Sequence, residues 1–318
     1  MQRDNLSRIS RRQFLKDAED VAKVALGSAL VGSVFSLLSI FPAYAYHLYV
    51  DLLGYFANNS DRYSVYSVGE YETAFQSDKV NIALRHDVDL VYGFEMANAD
   101  VARRGNISST FCLRVSSKDS PAVNCPYSLR DDKEFRSFYQ NVERNGMEIG
   151  YHYEAVDKIL TIDGVEKVTA RIQSDDSIPP GIKQALIFLV SGGMVPITSE
   201  IRKQLARVLV TEDVISLFKS ELGSMRGYFD KITTVAPHGG RFNYLVEESE
   251  KWDSLRNECG VISAYRIPLT RYISDIDKKV KNDFNGDLYQ FVVTELEKYA
   301  PPARVEISAH PEYWFIRD

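Results

Sequence analysis

At 318 residues the chain is long enough for one large α/β domain or two smaller ones, and its 45% hydrophobic and 26% charged content is that of an ordinary soluble globular protein. Residues 1–45 hold six Lys and Arg against four Asp and Glu, so the overall charge of −6 becomes −8 over residues 46–318. That acidic balance argues against nucleic acid as a partner, and three cysteines (Cys112, Cys125, Cys259) without a Cys-x-x-Cys pair argue against a zinc–thiolate centre.

The first predicted element is an export signal. Ser10-Arg11-Arg12-Gln13-Phe14-Leu15-Lys16 resembles the twin-arginine motif, Val24 to Tyr46 is an uncharged and moderately apolar run, and Ala43-Tyr44-Ala45 offers small residues where a signal peptidase cuts. The expected partner is the twin-arginine translocase, with the mature chain starting at Tyr46 in the periplasm or at the cell surface. The run is also long enough to stay uncleaved as a membrane anchor. Residues 46–78, rich in tyrosine and broken by Asn58-Asn59-Ser60, read as an extension packed on the outside of the fold.

From residue 79 the pattern becomes regular. Val80 to Arg85 reads as a strand and Tyr92 to Arg104 as a helix stopped by Gly105-Asn106, with Ile107 to Val115 the next strand. Asp131-Asp132 can cap a helix that Phe135, Phe138, Tyr139 and Val142 make amphipathic and Asn145-Gly146 ends. Met147 to Tyr151 is a third strand. Residues 156–225 break the rhythm as a helical insertion. Strands resume at Thr233–Ala236, Val261–Arg266, Leu288–Thr294 and Val305–Ala309, with a helix over Glu247–Asn257. About seven parallel strands with crossover helices imply an α/β fold, a distorted (β/α) barrel spanning 79–318.

The chemistry gathers at strand ends. Arg85-His86-Asp87-Val88-Asp89 closes the first strand with charges that would be costly to bury unpaired. Of the five histidines, His152, His238 and His310 also follow short apolar stretches, and only His47 lies elsewhere. Carboxyl ends of parallel strands converge on one face, so dispersed positions can form one site. A carboxylate pair, imidazole ligands and a separate imidazole are the inventory of a hydrolase that uses a divalent metal, zinc first, with cobalt or nickel as alternatives.

These motifs resemble those of the polysaccharide deacetylases of the NodB homology type, carbohydrate esterase family four. That family's first motif, Thr-Phe-Asp-Asp-Gly, matches Arg85-His86-Asp87-Val88-Asp89 with a spacing one residue longer. The resemblance implies Asp87 as catalytic base and Asp89 as metal ligand, two roles the altered spacing leaves exchangeable. Glu148-Ile149-Gly150-Tyr151-His152 matches the first half of the second motif, His-Ser/Thr-x-x-His, and implies His152 as a metal ligand. Its second histidine is replaced by Val156, so Glu154 or His238 would complete the set.

Ile307-Ser308-Ala309-His310 resembles the Leu-x-His motif, which makes His310 the general acid. Arg241, in Pro237-His238-Gly239-Gly240-Arg241, lies roughly where the family carries an arginine that orients the base. Asp275 lies where it often has an aspartate that tunes the catalytic histidine. Tyr153, Tyr313 and Trp314 could stack on sugar rings, as could Tyr265. The implied activity is metal-dependent removal of acetyl groups from an N-acetylated or O-acetylated glycan of the cell envelope. The alternatives are a catalytically inactive glycan-binding protein on the same fold and a hydrolase of small non-sugar amides.

Overall fold

The computed structural model describes residues 44–71, 73–89, 93–116, 125, 127–238, 241–247, 249–275, 283–284, 287–311 and 314–315. The twin-arginine motif, the uncharged run through residue 43, Tyr313 and the side chains of Arg241 and Trp314 lie outside the described residues. Among the described residues no helix is long and apolar enough to cross a membrane.

Helix α1 (Tyr46–Asn58) leads into β1 (Tyr63–Tyr66) and β2 (Val80–Val88), followed by α2 (Phe94–Val101) and β3 (Thr110–Leu113). Next comes α3 (Lys133–Arg144), capped where Asp132 Oδ1 accepts from the Phe135 amide at 2.9 Å. Gly146, at φ +90°, then turns the chain into β4 (Glu148–Tyr153). The expected helical insertion is four helices: α4 (Ala155–Ser174), α5 (Pro180–Val190), α6 (Ser199–Leu209) and α7 (Glu212–Tyr228). Thr198 and Thr211 cap the last two, their side chains accepting from Ile201 N and Val214 N. The chain closes with β5 (Thr234–Pro237), α8 (Glu250–Cys259), β6 (Ile262–Ser263), β7 (Arg271–Ser274), α9 (Leu288–Glu297) and β8 (Ala303–Ala309).

Seven parallel strands, β2 to β8, with flanking helices place the chain in the distorted (β/α) barrel class. The number of strands is the expected one, but the membership differs. Residues 288–294, expected as a strand, form a helix. Leu288, Phe291, Val292, Glu295 and Leu296 are its buried stripe, and Asp287 caps it by accepting from Gln290 N. The missing strand is β7. Val261–Arg266 also shortens, to the two residues of β6 and a 3₁₀ turn over Ala264–Arg266 that Ser263 caps.

The chain divides into two compact units, one holding Met1–Phe111, Arg144–Met147 and Pro268–Asp318, the other Cys112–Glu143 and Glu148–Ile267. In the first, β1, β2, β8 and β7 pair in that order, all parallel. Its core sets Val80, Ile82 and Leu84 of β2 and Val305 and Ile307 of β8 against Tyr49, Leu52, Leu53 and Phe56 of α1 and Phe291, Val292 and Leu296 of α9. The α1 residues recur at helical spacing, so this segment is core and does not lie on the outside as its composition suggested.

In the second unit β4, β5 and β6 pair in order and in parallel. Tyr151 and Tyr153 of β4 pack with Phe218 of α7, and Tyr153 and Phe218 also pack on Trp252 of α8, at centroid distances of 5.1 to 5.5 Å. Cys112, Cys125 and Cys259 form no disulfide with one another.

Candidate functional site

Strand β2 runs three residues beyond Arg85, so His86 and Asp87 also lie within it, and all three are buried. Alternation then sorts them. Residues 85 and 87 share one face, and 86 takes the other. On that other face His86 is a structural residue. Its Nε2 lies 2.8 Å from Asp100 Oδ2 and 3.0 Å from the Tyr49 hydroxyl, and its ring stacks on Phe111 at 4.4 Å. Ser109 donates to the same Asp100 at 2.5 Å. His86 thus belongs to a buried network with Tyr49, Asp100 and Ser109.

The first face carries a corner of acid–base groups in the first unit. Pairing of Arg85 with Ser308 and of His86 with Ala309 brings His310, just past the end of β8, level with Asp87. His310 Nε2 stands 3.8 Å from Asp87 Oδ2. Its Nδ1 lies 2.7 Å from Asp275 Oδ1, and its backbone amide donates to Asp275 Oδ2 at 2.6 Å. Two contacts from one buried carboxylate fix both the ring and the chain that carries it, leaving Nε2 directed at Asp87. Asp275, which directly follows β7, is the aspartate that the resemblance suggested as a partner for this histidine.

Asp87 is itself held by an arginine that sequence reading overlooked. Arg85 Nε lies 3.2 Å from Asp87 Oδ1, Nη1 lies 3.0 Å from Glu306 Oε1, and Nη2 donates to Ser308 Oγ at 3.2 Å. Ser308 in turn donates to Asp87 Oδ2 at 3.4 Å. The i, i+2 spacing of Arg85 and Asp87 on one strand face was the signal that could have found this pair. Arg241, expected in the orienting role, begins a short helix over Arg241–Val246. Burial pushes the Glu306 carboxyl up to about 7, against the opposing pull of Arg85.

The second unit carries a corner of imidazoles. His152 lies within β4, opposite Ala236 of β5, whose carbonyl lies 3.1 Å from His152 Nδ1. The His238 amide donates to the Tyr153 carbonyl at 2.8 Å, which seats His238 just past β5. The two rings meet edge to face with centroids 5.2 Å apart. Glu154 Oε2 lies 3.4 Å from His238 Nδ1 and 2.8 Å from Arg114 Nη2, and Oε1 lies 3.2 Å from Lys158 Nζ. Burial alone would raise this carboxyl, but the hydrogen bond from His238 and the charges of Arg114 and Lys158 outweigh it and hold Glu154 at about 2.

Of three further residues, Tyr153 behaves differently from expectation. Tyr153, read as a sugar platform, is fully buried, donates its hydroxyl to Glu247 and packs on Phe218 and Trp252. Strand alternation turns it away from His152, so it is core and cannot stack on a substrate. Val156, where the family motif has its second histidine, is buried at the start of α4 with its amide on Asn243 Oδ1 at 3.1 Å. Asp89 directly follows β2, half-buried, at the same parity as Asp87.

The donor chemistry fits a divalent cation. At His152 and His238 an oxygen acceptor faces Nδ1, the arrangement that leaves Nε2 as the nitrogen carrying the lone pair. Neutral imidazoles with a carboxylate are the ligand types that zinc, cobalt and nickel accept.

No family model matches the chain. No curated protein matches it either. Two solved structures are similar at low identity. One is a mutant of a CE4 family pseudoenzyme with restored enzymatic activity, at 12% identity and a TM-score of 0.32, over 74% of this chain and 58% of that one. The other is a family 4 carbohydrate esterase from Bacillus anthracis, at 13% identity and a TM-score of 0.26, over 82% of this chain and 76% of that one. The chain thus spans a little over half the length of the first of these relatives.

Proposed function

We propose that the chain is a metal-dependent hydrolase that removes acetyl groups from an N-acetylated or O-acetylated glycan of the cell envelope, after export by the twin-arginine route. The observation that carries this reading is the run Asp275–His310–Asp87, in which one carboxylate holds an imidazole whose other nitrogen faces a second carboxylate. Such a pair can take a proton from one side of a reaction and return one on the other.

His152 and His238 would hold the cation, with zinc first and cobalt or nickel as alternatives; the motif resemblance adds Asp89 as the carboxylate ligand. A bound cation there supplies Lewis-acid polarisation of the acyl carbonyl and lowers the pKa of nearby water. Asp87 accepts the proton of the attacking water as its oxygen bonds to the acyl carbon. His310 Nε2 delivers a proton to the leaving nitrogen or oxygen as the acyl bond breaks, giving acetate and a free amine or hydroxyl. Arg85 keeps Asp87 oriented.

The test is acetate release from acetylated chitooligosaccharides and acetylated peptidoglycan fragments by the zinc-loaded full chain, beside the same chain stripped with chelator. Release that chelation abolishes and zinc restores is the expected result. Release that survives complete chelation would instead favour the small-amide hydrolase without metal. A catalytically silent glycan-binding protein is the second reading, favoured by Val156 in place of the second motif histidine. It requires saturable sugar binding with no acetate released under any metal.

A further inference from the structure

Glu154 lies two residues beyond His152, a spacing that made it a candidate ligand. Its surroundings point to a different task. Both carboxylate oxygens are engaged by cations, Oε2 by Arg114 at 2.8 Å and Oε1 by Lys158 at 3.2 Å. Lys158 is braced in turn, 2.7 Å from Glu221 Oε1 and donating to the Val115 carbonyl at 3.0 Å, and the Tyr151 hydroxyl donates to the other oxygen of Glu221. Arg114, Tyr151, Glu154, Lys158 and Glu221 are all buried. A carboxylate clamped by two cations inside the protein has little negative charge left to offer a metal, and moving it would strand Arg114 and Lys158. Among the described residues, the imidazole it faces is His238.

We propose that Glu154 is a positioning residue that acts on the metal through His238, fixing that ring with Nδ1 protonated and Nε2 as the ligand atom, while Arg114 and Lys158 hold the carboxylate in place. The inference rests on the reading of His152 and His238 as metal ligands. It explains how a ligand set without the second motif histidine can be completed. His238 comes from the end of another strand, β5, and Glu154, one turn before Lys158, gives that ring the acceptor that the Ala236 carbonyl gives His152. A carboxylate behind a ligand histidine raises its basicity and locks its orientation, and losing one typically weakens metal binding about 10- to 100-fold.

The experiment is a calorimetric titration of zinc, with competing chelator, into the apo full chain and its Glu154→Gln, Glu154→Ala and His238→Ala variants, followed by visible spectra of the cobalt-loaded forms. Glu154→Ala should weaken zinc about 10- to 100-fold, Glu154→Gln less because its amide oxygen still accepts, and His238→Ala most. At saturation the cobalt spectra of wild type and both Glu154 variants should coincide, because the ligands are the same. A cobalt spectrum altered in Glu154→Gln would make Glu154 a ligand and overturn the proposal, as would unchanged zinc affinity in Glu154→Ala. If these variants do not fold, nitrogen-15 spectra of histidine in the zinc-loaded wild type decide alone, since coordination of His238 through Nδ1 overturns the proposal. Zinc binding with these properties but no acetate release would sink the hydrolase and leave the role of Glu154 standing. No binding of zinc or cobalt by wild type would sink both.

Discussion

Two buried glutamates, one in each unit, show how surroundings decide what a carboxylate does. Glu154 in the second unit faces Arg114, Lys158 and His238, and is held at about 2 although burial opposes it. Glu306 in the first unit shares the single guanidinium of Arg85 with Asp87, is fully buried and is pushed up to about 7. The same side chain is thus a permanent anion in one corner and a group that titrates near neutrality in the other. Glu154 has surplus positive charge around it and serves to hold a neighbour. In the Arg85 corner positive charge is scarce, and the carboxylate nearer His310 is the one suited to proton transfer.

The comparison assigns proton transfer to the first corner and metal holding to the second, and breaking the first should have the largest effect. Asp87→Asn keeps the shape and removes the base, so acetate release should fall about 10³- to 10⁴-fold with zinc still bound. Side-by-side rates and metal contents of the purified proteins check this. Retention of full activity would move the base role to Asp89, the exchange that the motif spacing left open.

Glu306→Gln sharpens the comparison through stability. The folded pKa of about 7 lies above the ordinary 4.5, so between these values the folded chain binds the Glu306 proton more tightly than the unfolded chain does. Stability from this group is fully present below pH 4.5, is lost as pH rises toward 7, and is flat above. The glutamine variant has no such loss. Its stability relative to wild type should therefore gain about 3 kcal/mol between pH 4.5 and pH 8. Urea unfolding at both pH values measures it, and an equal difference at the two would show that Glu306 does not titrate in this window.

Asp275→Asn leaves the imidazole in place but weakens its anchor. We expect acetate release to fall on the order of 10²-fold, the lower end of what general acid catalysis supplies, with KM little changed and the alkaline limb of the pH–rate profile displaced. A variant that loses substrate affinity but keeps its turnover rate would make Asp275 a binding residue.

Much of this was legible in the sequence. Strands that end in Asp87, His152 and His310 stand out because apolar runs that stop at charged groups or imidazoles are hard to explain by packing, and His310 Nε2 lies 3.8 Å from Asp87 Oδ2. What escaped notice were effects of alternation and of competing periods. Arg85 sits two residues from Asp87, and Tyr153 one residue from His152. A strict period of two would have given Arg85 to the site and Tyr153 to the core. Residues 288–294 misled because β-branched Val292-Val293-Thr294 outweighed the 3.6-residue stripe through Leu288, Phe291 and Leu296. The cation clamp on Glu154 joins Arg114, Lys158 and Glu221 over more than a hundred residues, and no local pattern announces it.

The smallest expected effect tests how tightly the first corner is drawn. Ser308 lies between Arg85 and Asp87, accepting from the guanidinium at 3.2 Å and donating to Asp87 Oδ2 at 3.4 Å. The second contact is long for a hydroxyl donor, so it contributes little. Asp87 keeps its ion pair with Arg85 Nε when the hydroxyl is gone. Removing it leaves one guanidinium hydrogen without that acceptor in a buried place, a cost of about 1 kcal/mol. Ser308→Ala should accordingly lower acetate release severalfold and stability by about 1 kcal/mol, read from initial rates and urea unfolding of the same preparation. A loss as large as that of Asp87→Asn would show that the serine, and not Arg85, sets the position of the base. The proton-transfer corner would then rest on a hydroxyl where the metal corner rests on a clamped carboxylate.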